Sequence, residues 1–294
     1  MGTTSSDLIA NIKLKGSFPT ASDLFSNADY LSVLNDEILN TIVPIINKVN
    51  EEYFLSYKAY AVTAGQEAYR IPKRAVGSTL RDIQRIDSAG SVLSLGRLFE
   101  EDRKSLTAGP IGYYLKSNTI LLSPVPVQTS GTLRMAYTRR PSKLVMPSAC
   151  AQVTAINGSV VDVASVPSTM TNNTLIDFVQ QEGPYDILDM DVTITGISGT
   201  TINFASVPSD LAIGDYICLA GESCVPGVPE EMVPTLVQAA LCVCLTSKKD
   251  KSAELEIQKL QQMKDSLVQL MEPRVKSSDV VVRSNILLNT FRRY

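Results

Sequence analysis

Apolar residues in 26–54 fall at Leu31, Leu34, Ile38, Ile42, Ile45, Val49 and Tyr53, three or four apart, which predicts one long helix with a single buried face. Ser26 or Asn27 can cap its start, Asp29 suits the positive end of its dipole, and Pro44 should kink it near the middle. A short helix is expected over 6–13, ended by Gly16 and Pro19. Near the other end, Val237, Leu241 and Leu245 form one apolar line, and Ile257, Leu260, Met263, Leu267 and Leu270 form another, joined by the polar Ser247-Lys248-Lys249-Asp250. This is the pattern of an antiparallel helical hairpin, opened at Pro229, with Pro234 in or near its first turn and Pro273 at its end. With the 26–54 helix it would make a three-helix bundle.

Between the helices the period changes from helical to alternating. Short strands are predicted at 57–62, 81–86, 92–98, 112–115, 119–122 and 132–137, with turns at Ser88-Ala89-Gly90 and Ser117-Asn118 and one helical turn at 100–106. Leu133, Met135 and Tyr137 alternate against Thr132, Arg134 and Ala136, as in a half-buried strand. The whole reads as a small antiparallel β-subdomain. An internal repeat follows: INGSVVDVASVPS at 156–168 returns as ISGTTINFASVPS at 197–209, an offset of 41 residues. Each copy carries a turn dipeptide, Asn157-Gly158 or Ser198-Gly199, before an alternating strand; Asn-Gly favours a type I′ hairpin. Two hairpins of one design imply a small β-barrel or β-sandwich with pseudo-two-fold symmetry. The fold class is therefore α+β: a three-helix bundle, an antiparallel β-subdomain and a small β-barrel or sandwich.

Composition narrows the function. The chain has 294 residues, 44% of them hydrophobic and 19% charged, enough for a sizeable core and about two domains. No apolar run approaches a membrane span, and MGTTSS, though it fits a loose myristoylation pattern, precedes no signal-peptide core. A net charge of −3 gives no general attraction for nucleic acid. Five cysteines show no disulfide-framework spacing and are expected reduced. There is no histidine, which excludes Ser-His-Asp and Cys-His catalysis and histidine ligation.

The remaining candidates have plainer readings. Asp186, Asp189 and Asp191 lack the glycine and terminal glutamate of a calcium loop and fit a solvated strand edge. Glu100, Glu101 and Asp102 fit an acidic first helical turn, and Cys242 and Cys244 fit buried packing. Arg134, Arg139, Arg140 and Lys143 are the densest basic segment, suited to nucleic-acid phosphates, an acidic partner or a solvated strand end. No catalytic residue, cofactor site or metal site is expected.

One further set of features points to a family. EEYFLSYKAYAVTAGQEAYRIPKRAVGSTLRDI at 51–83 joins a helix to a strand through Gly65, with Pro72 closing the strand. Upstream lies FSNADYLSVLNDEILNTIVPIINKVNEEYF, and downstream IDSAGSVLSLGRLFEEDR and GYYLKSNTILLSPVP with LRMAYTRRPSKLV. VPEEMVPTLVQAALCVC through LVQLMEPRVKSS follows at 228–278. In order and spacing these blocks, roughly two-thirds of the chain, resemble the head-to-tail connector (adaptor) proteins of tailed bacteriophages. The segment 148–226 has no counterpart in that resemblance and reads as an inserted β-domain. The organisation is then 1–147, an N-terminal helix and β-subdomain; 148–226, the insert; 227–272, a helical hairpin completing the core; and 273–294, an extended arm.

The resemblance implies a structural virion protein, assembled in the host cytoplasm. It would form a twelve-fold ring of neighbouring copies under the portal protein and above a downstream tail or nozzle protein. Double-stranded DNA would pass through without sequence-specific binding, and no membrane would be involved. The arm would dock on the portal through Val280, Val282, Arg283, Ile286, Leu288, Phe291, Arg292, Arg293 and Tyr294, because its two apolar triplets are too hydrophobic for a free tail. Two other classes stay open on the sequence: a cell-wall lytic enzyme of the virion, and a receptor- or glycan-binding module carried by the insert.

Overall fold

The computed structural model describes residues 3–18, 25–99, 111–182 and 187–271. The chain is α+β, with a helical layer, two four-stranded sheets around a common core, and a closed six-stranded barrel.

Helix α1 (Ser5–Lys15) starts at a capping box in which Thr4 and Asp7 satisfy each other's backbone N–H. Helix α2 (Asn27–Glu37) does the same with Ser26 and Asp29. The expected long helix does not continue uniformly to Phe54. It widens into a π-turn over Ile38–Ile42, resumes as α3 (Val43–Val49) and stops there. Pro44 supplies the reason: it has no N–H, and its ring crowds the carbonyl one turn back, so widening that turn relieves the clash. Tyr53, read as the last helical position, lies in the turn beyond, beside buried Phe54.

Helix α4 (Val233–Ser247) and helix α5 (Ala253–Met271) form the expected hairpin, with Pro234 in α4's first turn. Most of α4 is buried, not just its one predicted stripe. It lies at the centre of the layer, against α1, α2, the π-turn and α5. A helix apolar on nearly all sides requires neighbours on nearly all sides. Thus α1, which the sequence left outside the bundle, supplies Leu8, Ile9 and Ile12 to the same core.

The β-subdomain holds β1 (Leu55–Ala61), β2 (Ala68–Arg70), β3 (Asp82–Ile86), β4 (Val92–Ser94), β5 (Gly96–Arg97), β6 (Gly112–Lys116), β7 (Thr119–Ser123) and β8 (Thr132–Thr138). One sheet runs β1-β8-β3-β4 and the other β2-β7-β6-β5. Ile83, Leu133, Met135 and Tyr137 from the first meet Tyr69, Ile120 and Leu122 from the second. Two expectations are corrected. The strand read over 92–98 is two strands in different sheets, and β5 pairs parallel with β6, so the subdomain is not wholly antiparallel. The helical turn expected at 100–106 lies outside the described residues.

After the short β9 (Lys143–Leu144), the barrel is built from β10 (Ala151–Asn157), β11 (Val160–Val163), β12 (Leu175–Val179), β13 (Ile187–Ser198), β14 (Thr201–Phe204) and β15 (Tyr216–Leu219), closed in the order β10-β11-β14-β13-β12-β15. The repeat is longer than its matching letters. Strands β10–β12 and β13–β15 are two copies of one unit, a hairpin followed by a third strand that pairs with the other copy. Val161 lies opposite Ile202, its own counterpart 41 residues on, and Asp177 opposite Cys218, again its counterpart. A residue paired antiparallel with its repeat equivalent sits on a two-fold axis, here crossing the barrel between β11 and β14 and between β12 and β15. Hydrogen bonds obey the same symmetry: Val163 N–H to Thr200 O and Phe204 N–H to Ser159 O, both 2.9 Å, exchange under it.

The hairpin frame shifts by one residue from the expected one. Asn157 pairs with Val160 and Ser198 with Thr201, so the central residues are Gly158-Ser159 and Gly199-Thr200. Positive φ falls on the glycines alone, 63° and 61°, which is the requirement of a type II′ turn, not I′. Phe178 and Phe204 meet edge to face at 5.0 Å in the barrel core.

Candidate functional site: the root of the barrel

The barrel leaves the rest of the protein at Cys150 and returns after Leu219, and these two crossings define its root. A last short strand, β16 (Glu222–Ser223), pairs parallel with β9. Asn35 on α2 completes the join: its Oδ1 accepts the Leu144 N–H at 2.7 Å and its amide donates to Leu144 O at 3.1 Å. At the start of α1, the Ser5 hydroxyl donates to Val145 O (2.6 Å), and its N–H donates to Cys224 O (2.7 Å). Helices α1 and α2, β9 and the segment around β16 are therefore tied together by hydrogen bonds over long sequence separations.

On one side of the root Arg74, in the loop after β2, reaches the barrel. Its guanidinium meets Asp177 as a fork, with Nη2 donating to Oδ1 at 2.8 Å and Nη1 lying 2.8 Å from Oδ2. Nη2 also donates to Asp191 Oδ1 at 3.0 Å. Asp177 is fully buried, and the backbone N–H groups of Gly221 and Asp191 donate to it as well (3.0 and 3.1 Å). Burial alone would lower the Arg74 pKa. Its hydrogen bond to Asp177 and the two carboxylate charges outweigh that and raise it.

This revises the acidic cluster. Asp191 does not stand on a solvated edge with Asp189; it sits at positive φ (59°) and is paired with Arg74. Asp189 accepts the neighbouring Met190 N–H, and Asp186 lies outside the described residues.

On the other side Cys150, Cys218 and Cys224 converge, all buried, with sulfurs within 4.8 Å of one another. Cys218 Sγ lies 2.8 Å from Cys150 Sγ. The thiols of Cys218 and Cys224 donate towards Cys150 and lower its pKa, while burial raises that of Cys218. Tyr216 is pushed up to about 12, first by burial and then by the neighbouring sulfurs. Spacing along the chain does not reveal this group: Cys218 and Cys224 lie six residues apart, but Cys150 is 68 residues from Cys218 and only barrel closure brings the two together. Cys242 and Cys244 are buried on α4, as expected of packing residues.

The four basic residues do not share one face. Arg134, on β8, lies over the Tyr57 ring at 5.1 Å and hydrogen-bonds Gln84. Arg139 points to the barrel, with Nη1 3.9 Å from Met190 Sδ. Exposed Arg140 and Lys143 line an open groove beside α2, with Leu31, Asn35 and Leu39. The arm residues Val280 to Tyr294, and Glu100, Glu101 and Asp102, lie outside the described residues.

Among the described residues no helix is long and apolar enough to cross a membrane. The sequence of this chain places it in a class of structural virion components, the phage head-to-tail adaptors. The family model described as SU10 adaptor protein matches residues 4–168, more than half of the chain, and the chain belongs to that family. The matched segment includes α1–α3, both sheets and the barrel's first hairpin, and so runs past residue 148 into the barrel. A comparison with curated proteins finds no match.

Proposed function

We propose that the protein is a portal-binding adaptor that assembles as a dodecameric ring, encloses the DNA channel between head and tail, and acts mechanically during DNA ejection. The observation that carries this reading is family membership across the helical start and both sheets. Exposed apolar side chains on the outside of α5, Leu255, Ile257 and Leu270, supply the kind of surface that neighbouring subunits in a ring would cover. Arg140 and Lys143 are free to face DNA or an acidic neighbour, whereas Arg134 and Arg139 are engaged within the subunit. The 273–294 arm is the portal-docking segment, and the barrel, together with its flanks over 148–226, is an inserted module that decorates the ring or contacts a tail component.

Mass photometry of the chain mixed with its cognate portal tests this. A large uniform complex is expected, with the free chain monomeric until the portal templates it. A chain that stays unbound at micromolar concentration would remove the connector reading.

A further inference from the structure

The pseudo-two-fold axis relates the two sides of the root. Cys150 and Cys218 occupy positions equivalent to Asp191 and Asp177, each pair facing across neighbouring strands: β10 with β15 in one case, β13 with β12 in the other. The aspartate pair holds a cation, the Arg74 guanidinium. The cysteine pair gains a third sulfur, from Cys224, and packs among Val179, Tyr216, Val225, Val145 and Ile187.

We propose that Cys150, Cys218 and Cys224 form a thiolate site for a thiophilic divalent cation of the zinc type, bound at the root of the barrel. Three sulfurs carried by separate segments are what such an ion needs. Metal–sulfur bonds of about 2.3 Å in a tetrahedron set the sulfurs about 3.8 Å apart, within the 4.8 Å spread found here. Binding would open the 2.8 Å Cys150–Cys218 contact by about 1 Å. On loading, three S–H protons leave to solvent as three metal–sulfur bonds form. A water takes the fourth position, since the described residues offer three ligands to the cluster. The ion would join the chain entering the barrel, strand β15 and the segment returning to the helices, fastening the module across the two-fold axis from the neighbouring Arg74–Asp177 pair.

Two cysteines facing each other would suffice for a disulfide, but a third buried sulfur in the same group has no role in one. Packing alone would explain buried cysteines singly, but not their convergence at the one position where the repeat's other copy binds a cation.

The test uses the full chain, expressed with zinc in the medium, purified with a phosphine reductant and freed of loose metal by gel filtration. Elemental mass spectrometry should count one zinc per chain. Cys218→Ser should lose it, and Cys242→Ser, altered outside the cluster, should keep it. Cobalt in place of zinc should show the strong near-ultraviolet thiolate-to-cobalt band. Cys224→Ala should weaken zinc binding more than about 100-fold, beyond the usual cost of losing an outer-shell partner. Folded wild-type protein with no zinc and freely alkylated thiols after denaturation would reduce the cluster to packing and overturn the proposal. Undiminished zinc in Cys218→Ser would also overturn it. So would a Cys150–Cys218 disulfide in a non-reduced peptide map of freshly isolated protein. The wild-type zinc content and thiol state decide the matter even where a variant fails to fold.

Discussion

Replacing Arg74 by Met should be among the most damaging single changes outside the apolar cores. Arg74 is 14% exposed and its main partner Asp177 fully buried, so solvent screens their interaction little. Removing one member of a buried pair commonly costs about 3–5 kcal/mol, mainly because the other charge is left in a poor dielectric. Here the lower end applies, about 3 kcal/mol, because Asp177 keeps the Gly221 and Asp191 N–H groups. Asp191, itself 37% exposed, can recover water and adds little to the loss. Urea unfolding followed by tyrosine fluorescence and circular dichroism, in a chain without tryptophan, reads the effect. Adding Asp177→Asn to Arg74→Met removes the stranded charge, so the double variant should be more stable than the sum of the single losses predicts. The coupling should persist in about 1 M salt, where the exposed Arg81–Glu51 pair should contribute nothing measurable. A cost under about 0.5 kcal/mol for Arg74→Met, or a coupling near zero, would refute the clamp.

Three further outcomes are expected. Ser26→Ala should cost about 1 kcal/mol in the same unfolding experiment, since it removes half of the α2 capping box; no change would mean that the cap is redundant. Replacing Ala151–Leu219 by a short Gly/Ser linker should leave the helical circular dichroism signal and its cooperative melt in place. The barrel's ends already adjoin through Ala151 and Ile217, and the linker would spare residues 221–225, which hydrogen-bond β9 and α1. Loss of the helical signal would show that the barrel belongs to the main core. Truncation after Pro273 should leave the monomer's melting temperature nearly unchanged but severely weaken portal attachment. The arm's binding must offset roughly 1–2 kcal/mol of backbone entropy per ordered residue, and an early-melting variant that still binds the portal normally would place it inside the subunit.

Local chemistry determined much of this protein from the sequence alone. Apolar spacing located α2, α4 and α5, and Ser26 with Asp29 fixed the start of α2, because helix period and capping depend on residues within a turn of one another. The repeated letters at 156–168 and 197–209 announced two hairpins, and the blocks around them pointed to the adaptor family. Wherever distant residues must meet, only the tertiary structure decided. Periodicity marked one stripe on α4, but the packing of α1 against it as well as α2 and α5 made it a core helix. The turn frame at Gly158 moved by one residue because register is set by how both strands face the barrel core, a choice that an Asn-Gly dipeptide cannot make alone. Asp191 read as a surface acid until barrel closure placed it beside Arg74, 117 residues away in sequence. Cys150 and Cys218 carry no joint signal in the sequence, since side chains 68 residues apart become neighbours only when β15 closes on β10.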